Sequence, residues 1–219
     1  MKFKKTILLS ILLFFIVNTA NAQFNPFLQP AQYVGIPSDH LNYVVSSQRT
    51  PMWCWAACIE MVLKYHKVDI TQEDIVTRTF GTNWMGNPPP FGATIDIITR
   101  NLNNLSVDRK GLKYFVQAQV LPSMMQDEEF LNELNLQKPI IIAYGPTINS
   151  GHVVVLTAAS FIQTPQGSKI KTFVVRDPYP TEQTIQTCGK IEYNNFALPQ
   201  NGGLPAPIQA VWFVDVIQQ

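Results

Sequence analysis

The chain has 219 residues, 16 Lys and Arg against 15 Asp and Glu, and only 14% of it is charged. That length suits one domain around one sizeable core. No basic patch or arginine run occurs, which sets aside nucleic acid and anionic membrane surfaces as partners.

Lys2, Lys4 and Lys5, the apolar run 7–17 and the small-x-small triplet Ala20-Asn21-Ala22 read as a signal peptide cut after Ala22. The expected location is therefore secreted or periplasmic. The apolar run is shorter than the ~20 residues that a bilayer span needs, so no membrane association is expected after cleavage. Residues 23–47 are rich in Pro, Gln, Asn and Ser and form a lead-in, with Tyr33-Val34 and Tyr43-Val44-Val45 as short extended candidates. This segment, with Phe24 and Phe27, is expected to pack on the back of the fold. It leaves little room for an independently folded propeptide. The domain proper is placed at 48–219.

A helix is predicted over 54–66, where good helix formers run without Gly or Pro, and it is apolar nearly all round, as a buried helix is. Thr71 and Asp74 have capping-box spacing and open a second helix. Residues 81–92, with Asn83, Trp84, Gly86 and three prolines, are a loop. Further helices fit 93–102 and 127–136, the second with Phe130, Leu131 and Leu134 inward. From 139 onward the pattern changes to short β-branched and aromatic runs, at 139–144, 152–158, 171–176, 190–193 and 208–216. Helices first and strands second give an α+β layout with two lobes.

Cys54 opens the first long helix, where unpaired N–H groups and the helix dipole favour a negative charge. A free cysteine is mostly protonated at neutral pH, so a nucleophilic thiolate needs such help and a histidine partner. His40 lies in the lead-in. His66 ends the helix that Cys54 begins, roughly 18 Å away at ~1.5 Å per residue. His152, after Gly151 on a predicted strand, is left as the base. Asp177 ends the strand that can hairpin back through 163–167, which would bring it beside His152 to orient the ring. Gln48, six residues before Cys54, is the candidate side-chain donor to an oxyanion, with the Cys54 backbone N–H as the other. Trp84 is a candidate substrate contact, since loops beside clefts carry binding residues. Trp53 and Trp55 read as core and cleft-wall packing. For Cys58 and Cys188, a disulfide that leaves Cys54 free and three reduced thiols both remain open. No metal or cofactor is expected: Cys54 and Cys58 stand four apart on one helix with no histidine near them in sequence.

Gln48-x5-Cys54-Trp55-Ala56-Ala57, Gly151-His152 and Asp177-Pro178 together resemble papain-like cysteine peptidases, closest to the compact bacterial branch that includes staphopain-like effector proteases and bacteriocin-leader peptidase domains. The resemblance covers Gln48 to the C-terminus. It implies a two-lobed α+β fold, with a helical N-terminal lobe carrying Cys54 and an antiparallel β-rich C-terminal lobe carrying His152 and Asp177. It further implies Cys54 as nucleophile, His152 as base, Asp177 as orienting group and Gln48 as oxyanion donor, acting on a protein or peptide. Met52-Trp53 stands where plant-type members have Gly-Ser, and Asp takes the place of the commoner Asn. Two alternatives are retained: an amidase or transglutaminase-like acyl transferase with the same residues, and a non-catalytic exported binding module.

Overall fold

Strands dominate the second half of the computed structural model, which describes residues 30–121, 126–147, 150–194 and 207–218. The eight strands are β1 Gln32–Gly35, β2 Asn104–Val107, β3 Lys113–Leu121, β4 Ile140–Thr147, β5 Ser150–Thr164, β6 Gly167–Arg176, β7 Lys190–Asn194 and β8 Ile208–Gln218. They form one antiparallel sheet ordered β2-β3-β8-β4-β5-β6-β7, with β1 beside the far half of β5. The expected signal peptide, its cut and Phe24 and Phe27 lie outside the described residues. Among those residues no helix is long and apolar enough to cross a membrane.

Because successive strand side chains point to opposite faces, the central strands feed two cores. Ile141, Ala143, Val153, Val155, Ala210 and Trp212 face one way. Against them lie the helices α2 Cys54–Tyr65, α3 Gln72–Phe80 and α4 Ile95–Asn101. Ile140, Ile142, Val154, Leu156 and Val211 face the other way, under α5 Asp127–Asn135 with its Phe130, Leu131 and Leu134. A strand buried on both sides must be apolar at every position, which is why β4 begins Ile-Ile-Ile and β5 contains Val-Val-Val. The fold is papain-like α+β.

Thr71 caps α3, and its hydroxyl accepts from Asp74 N in a reciprocal capping box, as the spacing predicted. The β5–β6 hairpin turns between Thr164 and Gly167, inside the expected span. Of the two extended candidates in the lead-in, Tyr33-Val34 lies in the strand β1, and α1 Ser38–Asn42, which was not expected, follows it. Tyr43-Val44-Val45 is a turn rather than a strand, since Val44 N and Val45 N both return to Leu41 O. Ile36 and Leu41 are buried. Gly35 makes the join possible: φ is +143°, and a Cβ there would meet Thr157 O at 2.4 Å. Strands β2 and β3 and the short helix α6 Glu182–Gln186 were not foreseen.

Candidate active site

The candidate nucleophile, Cys54, is positioned by the start of α2. Cys54 is the first helical residue, and the N-cap residue Trp53 gives no side-chain cap. No acidic residue occupies the first turn, so nothing there competes with a negative sulfur for the unpaired N–H groups. The flanking indoles fix the surroundings. Trp53 Nε1 donates to Pro89 O at 3.2 Å, and Trp55 Nε1 donates to Phe91 O at 3.3 Å. These two bonds tie loop 81–92 over the helix terminus, so the packing role expected for Trp53 and Trp55 includes holding a cleft wall.

His152 lies on β5 opposite Tyr144 of β4. Asp177 stands just past β6, where Pro178 ends the strand. His152 Nε2 and Asp177 Oδ1 are 2.7 Å apart. The same oxygen accepts from Tyr179 N at 2.8 Å. With Nε2 on the carboxylate, Nδ1 is the ring nitrogen left for the Cys54 side chain, which lines the same cleft. Tyr144 and Tyr179 close on the imidazole edge-to-face, with centroids at 5.7 and 6.4 Å. Burial is the largest influence on His152 and lowers its pKa. The hydrogen bonds to Asp177 and Cys54 and their charges together outweigh it and push the pKa up to about 9.

Asp177 is itself held from below. Its N–H donates to Gly189 O at 2.7 Å. Arg176, buried beside it, donates to Thr187 O and Cys188 O at 3.2 and 2.8 Å, which fastens the turn that carries Gly189. A Cβ on Gly189 would come within 2.9 Å of Asp177 O.

Gln48 is buried at the site, but its amide does not line the cleft. Its Nε2 donates to Thr50 O at 3.1 Å and Pro51 O at 2.9 Å, using both hydrogens. In this state the intervening turn folds the side chain back onto its own carbonyls. Its backbone N–H donates to Pro178 O at 2.8 Å, joining the turn before Cys54 to the loop after Asp177.

The Cys58–Cys188 disulfide is corrected: all three cysteines are free. Cys58 lies one helical turn below Cys54, and its Sγ donates to Val153 O at 3.2 Å. Burial first, then the nearby charges of Cys54 and Asp177, push its thiol well up. Cys188 sits in the turn after α6 with φ +51°. Among the described residues no group of three His, Cys, Asp or Glu side chains could hold a metal.

A cleft of about 580 Å³ opens in front of Cys54 and His152, walled by Met52, Thr94, Ile95, Tyr179 and Gln209 among others. Trp84 is 91% exposed and lies outside that lining. Tyr179 and Gln209 were missed by the sequence reading. Tyr179 follows the Asp177-Pro178 pair directly and was open to notice, whereas Gln209 reaches the cleft only through the β4–β8 pairing.

Residues 40–197 match the model of the Peptidase_C39 like family. No curated protein matches the chain. With most of the chain matched, on the α+β fold described above, this protein belongs to the Peptidase_C39 like family, a family of papain-like cysteine peptidases.

Proposed function

We propose that the protein is an exported cysteine peptidase that hydrolyses peptide bonds through Cys54, His152 and Asp177. The observation that supports this reading is His152 held on Asp177, with its Nε2 2.7 Å from the carboxylate, in the cleft that Cys54 also lines. In the proposed cycle the Cys54 thiolate, paired with imidazolium, attacks the scissile carbonyl, and the carbonyl π electrons move to oxygen. The Cys54 backbone N–H at the helix start stabilises that oxyanion. His152 then gives its Nδ1 proton to the leaving amine, the C–N bond breaks and a thioester remains. Water, deprotonated by His152, attacks the thioester and releases the carboxylate product and Cys54. Asp177 keeps the ring in the tautomer and orientation that both steps need.

Gln48 would join the oxyanion site only after leaving Thr50 and Pro51, at a cost of about 1 kcal/mol for each hydrogen bond. Trp84, exposed on the loop that runs into the cleft wall at Gly92, would serve as an outer contact for a peptide. Residues 1–22 have the pattern of an export signal.

The test uses mature protein and a peptide library. Cys54→Ala should abolish cleavage while the thermal unfolding curve stays cooperative. New peptide α-amino termini are the expected product. Ammonia or an isopeptide bond would move the assignment to an amidase or an acyl transferase, and cleavage retained in the variant would overturn the role of Cys54.

A further inference from the structure

Two polar side chains without a part in the proposed chemistry are fully buried beside it. Glu60 of α2 and Gln72 of α3 each have 0% exposure. Replacing such a pair by apolar groups of equal shape is commonly neutral or better for stability, so stability alone does not call for them. Their hydrogen bonds point to a different use.

The Gln72 carboxamide grips the backbone on either side of Gln48. Its Oε1 accepts from Arg49 N at 3.0 Å, and its Nε2 donates to Ser47 O at 3.0 Å. The same Nε2 reaches Ser46 Oγ at 2.8 Å and Glu60 Oε2 at 2.9 Å. Glu60 in turn accepts from Ser46 Oγ at 2.5 Å and pairs with Lys64 Nζ at 2.7 Å. The amide plane of Gln72 thus acts as a short piece of strand laid along 47–49. The residue it brackets joins both halves of the site: Gln48 N bonds Pro178 O, next to Asp177, and Gln48 Nε2 holds the Thr50-Pro51 turn that leads to Cys54.

We propose that Gln72 and Glu60 are positioning residues, a buried clamp that sets the path of 46–49 and thereby the distance between Cys54 and the His152–Asp177 pair. The clamp belongs to the resting enzyme, and it rests on the peptidase reading only for its effect on turnover. Without it, Gln48 drifts, Pro178 loses a donor and the carboxylate behind His152 loosens.

The variants are Gln72→Leu and Glu60→Gln, read first by the rate at which iodoacetamide alkylates Cys54 at about pH 6. That readout needs no peptide substrate, so it is independent of the proposed cleavage. The expected result is a folded variant, judged by a cooperative melt, whose Cys54 alkylates at least fivefold more slowly than wild type. With a cleavable peptide, kcat should fall while KM stays within twofold, and the alkaline limb of kcat/KM should move to lower pH. A folded variant with alkylation within twofold of wild type would overturn the proposal. So would failure of both variants to fold, which would make the pair a requirement of folding. If the wild type alkylates fast but cleaves no peptide, the peptidase reading falls and the alkylation rates still decide on the clamp.

Discussion

Asp177→Asn removes the charge behind His152 while keeping nearly the same shape, so its effect can be worked out in advance. The imidazole's pKa stands at about 9 against an ordinary 6.5. At 1.36 kcal/mol per pKa step, this difference favours the imidazolium by about 3 kcal/mol. Burial acts in the opposite direction and only the smaller Cys54 contribution is left against it, so with the carboxylate gone the pKa should fall toward 6.5. At pH 7.5 the charged ring would drop from more than roughly nine-tenths to about one-tenth of molecules, an activity loss of about tenfold from charge state alone. A wrong tautomer deepens the loss, toward the ~10⁴ that the corresponding Asp→Asn change costs a serine-protease triad. The assay is kcat/KM on one peptide from about pH 5 to 10. Wild type should lose activity with a midpoint near 9, and the variant should show that limb two or more pH steps lower. The stability sign follows from the same shift. The raised pKa stabilises the fold fully below 6.5, and the contribution is lost as pH rises through about 9, so the two proteins should differ most in melting temperature at the acid end of that window. A variant whose alkaline limb stays within half a pH step of wild type would refute the electrostatic reasoning.

Gly189→Ala should strain a backbone at φ +75° and push Asp177 from below, cutting kcat/KM at least tenfold; an unchanged pH profile would show that the turn does not support the carboxylate. Trp53→Phe keeps the ring packing but loses the bond to Pro89 O, a net change of about 1 kcal/mol. Its loosened cleft wall should raise KM more than it lowers kcat, and steady-state kinetics on the same peptide would tell. Ile59→Ala, at a site with 0% exposure between α2 and the sheet, should cost about 2–5 kcal/mol in urea unfolding. A loss under 1 kcal/mol would mean that α2 is not seated on that core.

The elements that proved legible in the sequence share one property: their local pattern and their tertiary burial agree. α2 is apolar nearly all round and is buried nearly all round, and β5 and β6 are β-branched and central. Asp177 was placed beside His152 by a hairpin argument that needed only one tight turn, and the turn is there. Strand β3, by contrast, reads Lys-Tyr-Phe-Val-Gln-Ala-Gln-Val-Leu, with only Tyr114 and Val116 fully buried, so its apolar signal is thin. Strand β2 is at the sheet edge with Leu105 and Val107 turned outward, which makes its pattern that of a loop. Gln48 shows a different limit. Residue spacing can bring an amide near a sulfur, but which way the amide turns depends on carbonyls of the same short turn, and Thr50 and Pro51 take both of its hydrogens. Nor could an odd cysteine count say that the Cys58 thiol is already engaged with Val153 O.

Cys54 and Cys58 make the physical lesson local. They are one turn apart on the same helix, so composition, propensity and field direction are nearly the same for both. What separates them is depth. Cys54 stands half-buried at the free N–H groups with an imidazole alongside, whereas Cys58 points into the sheet among Ile59, Val153 and Trp55. Burial in that core raises the Cys58 thiol and takes it out of reach. Iodoacetamide at about pH 6 should therefore modify Cys54 in the folded protein and leave Cys58 untouched until the sheet opens, and protection of Cys58 should end in step with global unfolding. Modification of Cys58 at the native rate of Cys54 would mean that α2 lifts from β5, and with it that this packing does not hold the proposed nucleophile against its proposed base.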